Sequence, residues 1–354
     1  MKCAGSRRLS IDEAEPIRRN NPVREVYVRR TALVAGAGGF IGHHMVKFLK
    51  ARDYDVRGVD IKEPEYEPTS ADDFRVLDLR RRDECIEATS DMDEVYQLAA
   101  DMGGIGFISG NHADVASNNI LINAHMLEAS ELNGVARYFY SSSACIYPLY
   151  MQNTPDVGGL KEDDAYPAQP EEGYGWEKLY AEKMCEYYDE EGRIPTRVAR
   201  FHNVYGPLGT YDGGREKVPA AISRKIALAD DPGEIEVWGD GLQTRSFMYV
   251  DDCVEGIYRI MQSDYSAPLN LGTEELITIN GLVDLVAEVA GKSISKRHDL
   301  SKPQGVRGRN SDNTLLSEVL GWGPSMLLAD GIQPTYSWIH EQLTKAEMPT
   351  RRAS

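Results

Sequence analysis

Residues Thr31–Ile61 read TALVAGAGGFIGHHMVKFLKARDYDVRGVDI, and this stretch decides the fold. An apolar run, Ala32–Ala35, ends in a glycine turn, and apolar residues at helical spacing follow it. A second apolar run then ends at Asp60. This order of patterns predicts a strand, a helix and a second strand parallel to the first, because parallel strands need a crossover connection.

The glycines of this unit follow a G-x-x-G-x-x-G spacing. Glycines in such a turn let the backbone approach a pyrophosphate closely, and the following helix presents its N-terminus to the phosphates. An acidic residue at the end of the second strand is placed to accept hydrogen bonds from a ribose, which favours NAD over its phosphorylated form. The cofactor-binding residues predicted here are Gly36, Gly39, Phe40, Ile41, Gly42 and Asp60.

The same alternation continues along the chain. Further strands are predicted in FRVLDL, MDEVYQLAADMGG and VARYFYSSSACIYP, with helical stretches between them. The expected fold class is α/β, a Rossmann-type doubly wound parallel sheet, in which ligands sit at the carboxyl ends of the strands. Asp78 and Ala99 are expected to contact the cofactor at two of these ends, and Cys145 lies at a third.

The domain organisation follows from this alternation. An NAD-binding domain is predicted over 29–200, with 235–270 returning to it. A smaller α/β substrate domain is predicted over 201–234 and 271–345. Residues 1–28 form a charged N-terminal arm and 346–354 a tail. The cleft between the two domains is the expected site.

Composition limits the possible partners. The net charge of −17 (39 − 56) disfavours nucleic acid and acidic membranes as partners, and an anionic substrate would need a local cluster of positive charge. Five scattered cysteines without a C-x-x-C motif indicate free thiols and a cytoplasmic location. The amino-terminal stretch lacks the apolar core of a signal peptide, no segment is apolar enough to span a membrane, and no cluster has metal-ligand spacing.

A tyrosine and a lysine four residues apart open the stretch EEGYGWEKLYAEKMCEYYDEEG. Tyr174 and Lys178 share one face of the helix predicted there. A lysine in this position, together with an oxidised nicotinamide, would lower the phenol pKa and let the tyrosine remove a hydroxyl proton. The apolar face of this helix is predicted from Trp176, Leu179, Tyr180, Met184 and Tyr187.

The glycine motif, the serine-rich strand end and YGWEK together resemble the extended short-chain dehydrogenase/reductase superfamily, in its nucleotide-sugar-modifying branch. The resemblance covers about 30–345. It implies that Ser143 hydrogen-bonds the reacting sugar hydroxyl, that Tyr174 accepts its proton, and that Lys178 binds the nicotinamide ribose.

Six segments in order resemble the GDP-mannose 3,5-epimerases more narrowly: LAADMGGIGFI, SSACIYP, RFHNVYGPLGT, GGREKVPAA, WGDGLQTRSF and GVRGRNSDN. Ala35 departs from the threonine usual in the superfamily. The resemblance implies oxidation at C4 by NAD, inversion at C3 and C5, and return of the hydride. It also implies that Cys145 and Lys217 are the base and acid. A 4-ketone acidifies the neighbouring carbons, and inversion needs groups on both faces of the sugar.

The resemblance also implies a homodimer and a GDP-sugar partner, GDP-mannose or a relative of it. The positive cluster expected around the diphosphate consists of Lys217, Lys225, Arg245 and Arg307, with Arg309 beside them. The remaining substrate-binding residues predicted are Gly103, Ser143, Ala144, Cys145, Asn203, Glu216, Val218 and Gln243.

Two alternatives stay open. A GDP-L-fucose synthase-like enzyme would invert C3 and C5 and then reduce C4, but such enzymes resemble this chain less at Lys217, where they carry a histidine, and at Asp60. A catalytically inactive NAD-binding regulator would keep the fold, and the presence of Ser143, Tyr174 and Lys178 argues against it.

Overall fold

A computed structural model describes residues 29–347, so the predicted arm 1–28 and residues 348–354 of the tail lie outside the described part. The largest element is a parallel sheet of seven strands in the order β10-β6-β5-β4-β1-β2-β3. Its central strands β1, β4 and β5 are almost wholly buried, as expected for a parallel sheet covered on both faces, while the edge strand β3 is not. They are β1 (Thr31–Ala35), β2 (Asp55–Asp60), β3 (Asp73–Val76), β4 (Glu94–Gln97), β5 (Arg137–Ser143), β6 (Thr196–Phe201) and β10 (Leu269–Leu271).

Helices cover both faces, which confirms the doubly wound fold class. On one face α1 (Phe40–Lys50) packs against α7 (Val250–Gln262). On the other, α2 (Arg82–Thr89), α4 (His112–Leu132) and α5 (Tyr174–Glu190) pack side by side. A short helix, α3 (Ile105–Ile108), precedes α4. Within 29–347 there is no helix whose length and apolar character would let it cross a membrane.

The remaining elements form a smaller α/β unit. In it β9 (Thr244–Tyr249) pairs with β7 (Asn203–Tyr205), β11 (Leu276–Thr278) and β13 (Gly308–Arg309), while β8 (Gly233–Trp238) pairs with β12 (Ile294–Asp299). Its helices are α6 (Val218–Leu228), α8 (Ile279–Ala290), α9 (Thr314–Leu320) and α10 (Leu328–Glu347).

The return to the cofactor domain is shorter than the predicted 235–270. In this part of the chain, α7 packs on the large sheet and β10 pairs with its strand β6. The strands β8 and β9 pair inside the smaller unit instead. Both are six-residue strands of mixed polar and apolar residues, and sequence alone does not tell which sheet such a strand joins.

The serine-rich strand ends earlier than its sequence suggests. β5 stops at Ser143, and Ala144–Ile146 form a 3₁₀ turn, in which the Ser143 hydroxyl accepts a hydrogen bond from the Cys145 amide at 3.2 Å. Cys145 therefore lies outside the strand, although it belongs to the segment VARYFYSSSACIYP in which a strand was predicted. The serine caps the turn that carries the cysteine, and this cap brings the two residues together.

The helix α5 buries only part of the face that was predicted to be apolar, since Leu179 is buried and Met184 is partly buried. Trp176, Tyr180 and Tyr187 are 51%, 57% and 53% exposed. The buried side packs on β5, β6 and α4. It consists mainly of small or polar residues: Tyr174, Gly175, Glu177, Lys178, Leu179, Ala181, Glu182 and Cys185.

Candidate active site

A cavity of about 620 Å³ lies at the carboxyl ends of the parallel strands. It extends from the glycine turn after β1 to the start of α6. The predicted cofactor residues of the glycine turn and the strand ends all line it: Gly36, Gly39, Phe40, Ile41, Gly42, Asp60, Asp78 and Ala99. Gly103 and Lys217, predicted to bind substrate, also line it, so the cavity continues from the cofactor elements to the substrate elements.

The glycine turn is built for a close backbone approach. Gly36 has a φ of +85°, and a Cβ there would lie 2.8 Å from the Ala99 amide nitrogen. Gly39 is the N-cap of α1 and has no side chain to cap the helix, so the first amides of α1 stay available at the cavity. A helix N-terminus of this kind suits a pyrophosphate.

Asp60 lies at the end of β2 and lines the same cavity. Its carboxylate accepts hydrogen bonds from the amides of Gly38 at 3.0 Å and Lys62 at 3.3 Å. Burial raises the pKa of this carboxyl, and the surrounding amides oppose the rise. Asp78 is paired with Arg80 at 2.7 Å, which lowers its pKa. A fixed carboxylate at the end of the second strand fits the ribose of NAD.

The side chains of Ser143, Tyr174 and Lys178 meet beside this cavity without being among its lining residues. The Lys178 ammonium donates to the Ser141 carbonyl at 2.9 Å and lies 5.5 Å from the Tyr174 ring centroid. Burial raises the pKa of Tyr174 well above its ordinary value, and a hydrogen bond to Ser143 opposes that rise. Burial lowers the pKa of Lys178, against the effect of two nearby carboxylates. The phenol pKa is therefore above its ordinary value even with Lys178 beside the ring.

Cys145 is partly exposed and has charged neighbours that the sequence analysis did not assign to it. Its sulfur lies 3.4 Å from Nη1 of Arg309, which in turn is paired with Glu171. Burial and the Glu171 carboxylate raise the thiol pKa, and Arg309 lowers it. Burial outweighs the single guanidinium, so the pKa of the thiol lies above its ordinary value.

Lys217 belongs to the smaller unit and lines the cavity. It is the N-cap of α6 and only partly exposed. Burial lowers the pKa of its ammonium, while the nearby sulfur groups of Cys145 and Cys253 raise it. The loop before it is held to the cofactor domain, since the Gly104 amide donates to the Arg215 carbonyl at 3.1 Å.

The predicted cluster of positive charge divides into separate groups. Arg245 and Arg309 are register partners in β9 and β13, and Arg307 and Cys145 are further charged neighbours of Arg245. Lys225 has other neighbours, Glu236 and Glu216 among them, and donates to the Glu236 carbonyl at 2.8 Å.

The remaining predicted substrate residues lie around these groups. The Asn203 amide donates to the Ser246 carbonyl at 3.0 Å, and the Gln243 amide donates to the Trp238 carbonyl at 3.2 Å. Ala144 is buried in the 3₁₀ turn, and Val218 is 37% exposed. Glu216 bonds the Gly214 amide at 2.7 Å.

Two residues of the site were missed. Glu171 opens the quoted stretch EEGYGWEKLYAEKMCEYYDEEG, and Gln152 lies shortly after SSACIYP. Gln152 accepts from Nε of Arg309 at 2.7 Å. Neither residue belongs to a pattern with a chemical meaning of its own, and only the fold brings them to the cysteine.

Comparison with known proteins places this geometry in a family. The family described as NAD dependent epimerase/dehydratase matches residues 32–272. The chain is 48% identical to GDP-mannose 3,5-epimerase 1 of Oryza sativa subsp. indica over 314 residues, 88% of this chain and 82% of that protein. It is 46% identical to GDP-mannose 3,5-epimerase of Arabidopsis thaliana, also over 314 residues, 88% of this chain and 82% of that protein.

Solved structures agree with this assignment. UDP-glucose 4-epimerase of Thermotoga maritima with UDP-glucose has a TM-score of 0.80 at 27% identity, over 88% of this chain and 99% of that one. UDP-glucuronic acid 4-epimerase of Bacillus cereus, in complex with UDP-glucuronic acid and NAD, has a TM-score of 0.75 at 27% identity and the same coverage. The cavity, the glycine turn and these similarities lead to one conclusion: the chain belongs to the NAD dependent epimerase/dehydratase family.

Proposed function

We propose that this protein is an NAD-dependent epimerase that converts GDP-mannose to GDP-L-galactose and GDP-L-gulose. The reaction is a transient oxidation at C4, inversion at C3 and C5, and reduction back at C4. The observation that carries the proposal is the position of Lys217: it comes from the smaller unit, lines the cavity, and lies near enough to the Cys145 sulfur for that group to raise the pKa of its ammonium.

Different residues would bind different parts of NAD. The glycine turn and the α1 N-terminus would hold the pyrophosphate, and Asp60 would hold the adenosine ribose. Lys178 would bind the nicotinamide ribose. The cofactor supplies the acceptor and donor of the C4 hydride, and its oxidised ring adds positive charge beside Tyr174.

Tyr174 would remove the proton from the C4 hydroxyl. Its phenol is 5% exposed, so the transfer takes place away from bulk water. Ser143, which shares a hydrogen bond with this phenol, would bind the same sugar hydroxyl. When C4 is reduced again, Tyr174 would return the proton.

Cys145 and Lys217 would invert the carbons next to the ketone. The thiolate takes the proton from C3 or C5 on one face, leaving an enolate, and the ammonium gives a proton to the opposite face. Burial favours the neutral form of both groups, raising the pKa of the thiol and lowering that of the ammonium. The charged forms that react therefore depend on their charged neighbours.

The diphosphate would be bound by Arg245 and Arg307, with Lys225 as a further positive charge. In a chain of net charge −17 these groups provide positive charge where the substrate is anionic. The likeness to the two plant GDP-mannose 3,5-epimerases, at 48% and 46% identity, supports the GDP-sugar. GDP-L-fucose synthase of Escherichia coli is 27% identical over 88% of this chain and 97% of that protein, which favours the epimerase over the synthase alternative.

The experiment is an incubation with GDP-mannose in deuterated water without added reductant, followed by NMR of the sugar. Deuterium at C3 and C5 together with GDP-galactose-type products supports the proposal. Absence of exchange combined with NADPH consumption on a 4-keto-6-deoxy sugar nucleotide would favour the synthase. Absence of both, with NAD still bound, would favour the inactive regulator.

We also propose that the protein is a homodimer whose subunits meet through α4 and α5. These neighbouring helices expose several apolar side chains: Ile120, Leu121, Trp176, Tyr180 and Tyr187. A second copy of this chain would cover such a surface. We expect Trp176→Glu to convert a dimer to a monomer in sedimentation, whereas Leu300→Glu, at a 71% exposed position in the smaller unit, leaves the dimer intact.

We propose a cytoplasmic location because the described cysteines are free thiols. The four cysteines within the described residues are all free. Free thiols are typical of a reducing compartment. Fractionation of cells that express the chain would test this proposal, and recovery in a secreted or membrane fraction would contradict it.

A further inference from the structure

Arg309 is a buried arginine whose side chain ends at the reactive cysteine. It lies in β13 and is only 6% exposed. Its Nη1 lies 3.4 Å from the sulfur of Cys145, and its Nε donates to Gln152 at 2.7 Å. Its Nη2 is bound to the carboxylate of Glu171. Each nitrogen of the guanidinium therefore has a partner within the protein.

Glu171 is tied to the same cysteine by its backbone. Its amide donates to the Cys145 carbonyl at 3.0 Å, while its carboxylate binds Arg309. The three residues form a closed arrangement in which the acid fixes the arginine and the arginine reaches the sulfur. A planar fork held by two other acceptors has little freedom to turn toward a different anion.

From this geometry we propose that Arg309 is the positioning residue of Cys145, the counterion that stabilises its thiolate, and that Glu171 holds Arg309 in place and limits its effect. Arg309 is thereby removed from the positive cluster predicted around the diphosphate, and Arg245 and Arg307 remain in it. The inference rests on the proposed function, since it assigns Cys145 as the base.

The charges around the thiol explain why a counterion is needed. The groups that face Cys145 or share charge effects with it are Glu171, Tyr174, Lys178, Lys217, Arg245 and Arg309. Burial is the largest cause that raises the pKa of the Cys145 thiol, and the Glu171 carboxylate is the next. The positive charge that lowers this pKa is the Arg309 guanidinium. Arg309 keeps its own charge, since the pKa of its guanidinium is raised despite burial by Glu171 and Cys145.

The test measures the thiol directly and is independent of turnover. The full-length protein is alkylated with iodoacetamide across a pH series, and the Cys145 peptide is quantified by mass spectrometry. Iodoacetamide reacts with the thiolate, so the rate follows the thiolate fraction at each pH. The variants are Arg309→Met, Arg309→Lys and Glu171→Gln. The control is Arg193→Met, which removes an arginine from a surface pair with Glu131.

Substitutions of Arg309 and of Glu171 should change the alkylation rate of Cys145 in opposite directions. Arg309→Met should slow alkylation near neutral pH by about tenfold, because the thiolate loses its counterion. Glu171→Gln should speed it, because the negative charge beside the sulfur is gone and the guanidinium stays. Arg309→Lys should fall between Arg309→Met and the wild type, and Arg193→Met should leave the rate unchanged.

If Arg309→Met and Glu171→Gln change the alkylation rate in the same direction, the inference is overturned. Loss of packing alone would change the rate in the same direction in both variants. Should Arg309→Met fail to fold, unchanged or slower alkylation in Glu171→Gln would overturn it as well. The outcome is separate from that of the proposed function. Suppose that the two variants change the alkylation rate in opposite directions, but the protein shows no deuterium exchange with GDP-mannose. The role of Arg309 as counterion is then supported, while the proposed epimerase function is contradicted.

Discussion

Gly175 lies directly against the carbonyl oxygen of Cys145, so that a Cβ on the glycine would stand 2.4 Å from that oxygen. The contact joins the second residue of α5 to the 3₁₀ turn after β5. It is the closeness of these two elements that brings Tyr174 and Cys145 to one site. A glycine between the tyrosine and the rest of the helix is therefore a requirement of the active-site geometry.

The first prediction concerns this contact. Gly175→Ala should displace the turn that carries Cys145 and lower the free energy of unfolding by about 1–3 kcal/mol, the usual cost of overpacking. Epimerisation should fall more than NAD binding, because the cofactor residues are elsewhere. Denaturant unfolding and NAD content measure the two effects. Gly158→Ala is the control, since a Cβ there meets no atom within 4 Å. Equal activity in the two variants would refute the stated role of Gly175.

The second prediction concerns an aromatic cluster that joins the two units near the cofactor cavity. Tyr66, from the loop after β2, lies 4.9 Å from the ring of Trp338 in α10, and Tyr211 lies 5.6 Å from the same ring. Both contacts are edge-on, which is the favourable geometry for aromatic pairs. Tyr66 belongs to a small cavity that it shares with Gly39 of the glycine turn.

Trp338→Ala should therefore accelerate release of NAD by about tenfold, because the lost pairs contribute about 0.5–1.5 kcal/mol each. The rate is measured by displacement of bound NAD with a labelled analogue. His340→Ala, on the exposed side of the same helix, serves as the control. Identical release from the two variants would show that the cluster does not retain the cofactor.

The third prediction is a loss of stability in acid caused by His202. This ring is 2% exposed and bonds Asn270 at 3.2 Å, and burial lowers its pKa to about 3. It stays neutral in the folded protein, while in the unfolded chain it gains a proton below its ordinary pKa of about 6.5. Stability is thus lost as the pH falls from about 6.5 toward about 3.

At about pH 5 the histidine alone should lower the free energy of unfolding by about 2 kcal/mol relative to neutral pH. His202→Gln should reduce the difference between the two pH values by that amount, as measured by denaturant unfolding. His298→Gln, an exposed position, should leave the difference as it is in the wild type. A pH dependence that does not change in His202→Gln would mean that another group causes it.

Much of the cofactor half could be predicted from the sequence, for a physical reason. The glycine turn, the helix start at Phe40 and the strand end at Asp60 are local, and each depends on residues close in the chain. All the predicted residues of this half except Tyr174 and Lys178 line the cavity. The pattern and the chemistry coincide there, because a nucleotide phosphate needs close backbone amides.

The substrate half was less predictable. Whether β8 and β9 would join the large or the small sheet depends on pairing between distant segments. The exposed side of α5 was also predicted wrongly, because its aromatic residues face outward and its polar ones face the site. Arg309 was assigned to the diphosphate from its neighbours in sequence, whereas its contacts to Cys145 and Glu171 span more than a hundred residues.

The most direct test of the central claim is deuterium exchange by Cys145→Ala with GDP-mannose in deuterated water, read by NMR together with the absorbance of reduced nicotinamide. The variant should bind NAD and oxidise C4, since Ser143, Tyr174 and Lys178 are intact. It should incorporate no deuterium at C3 or C5. Exchange at the wild-type rate in Cys145→Ala would contradict the assignment of this cysteine as the base.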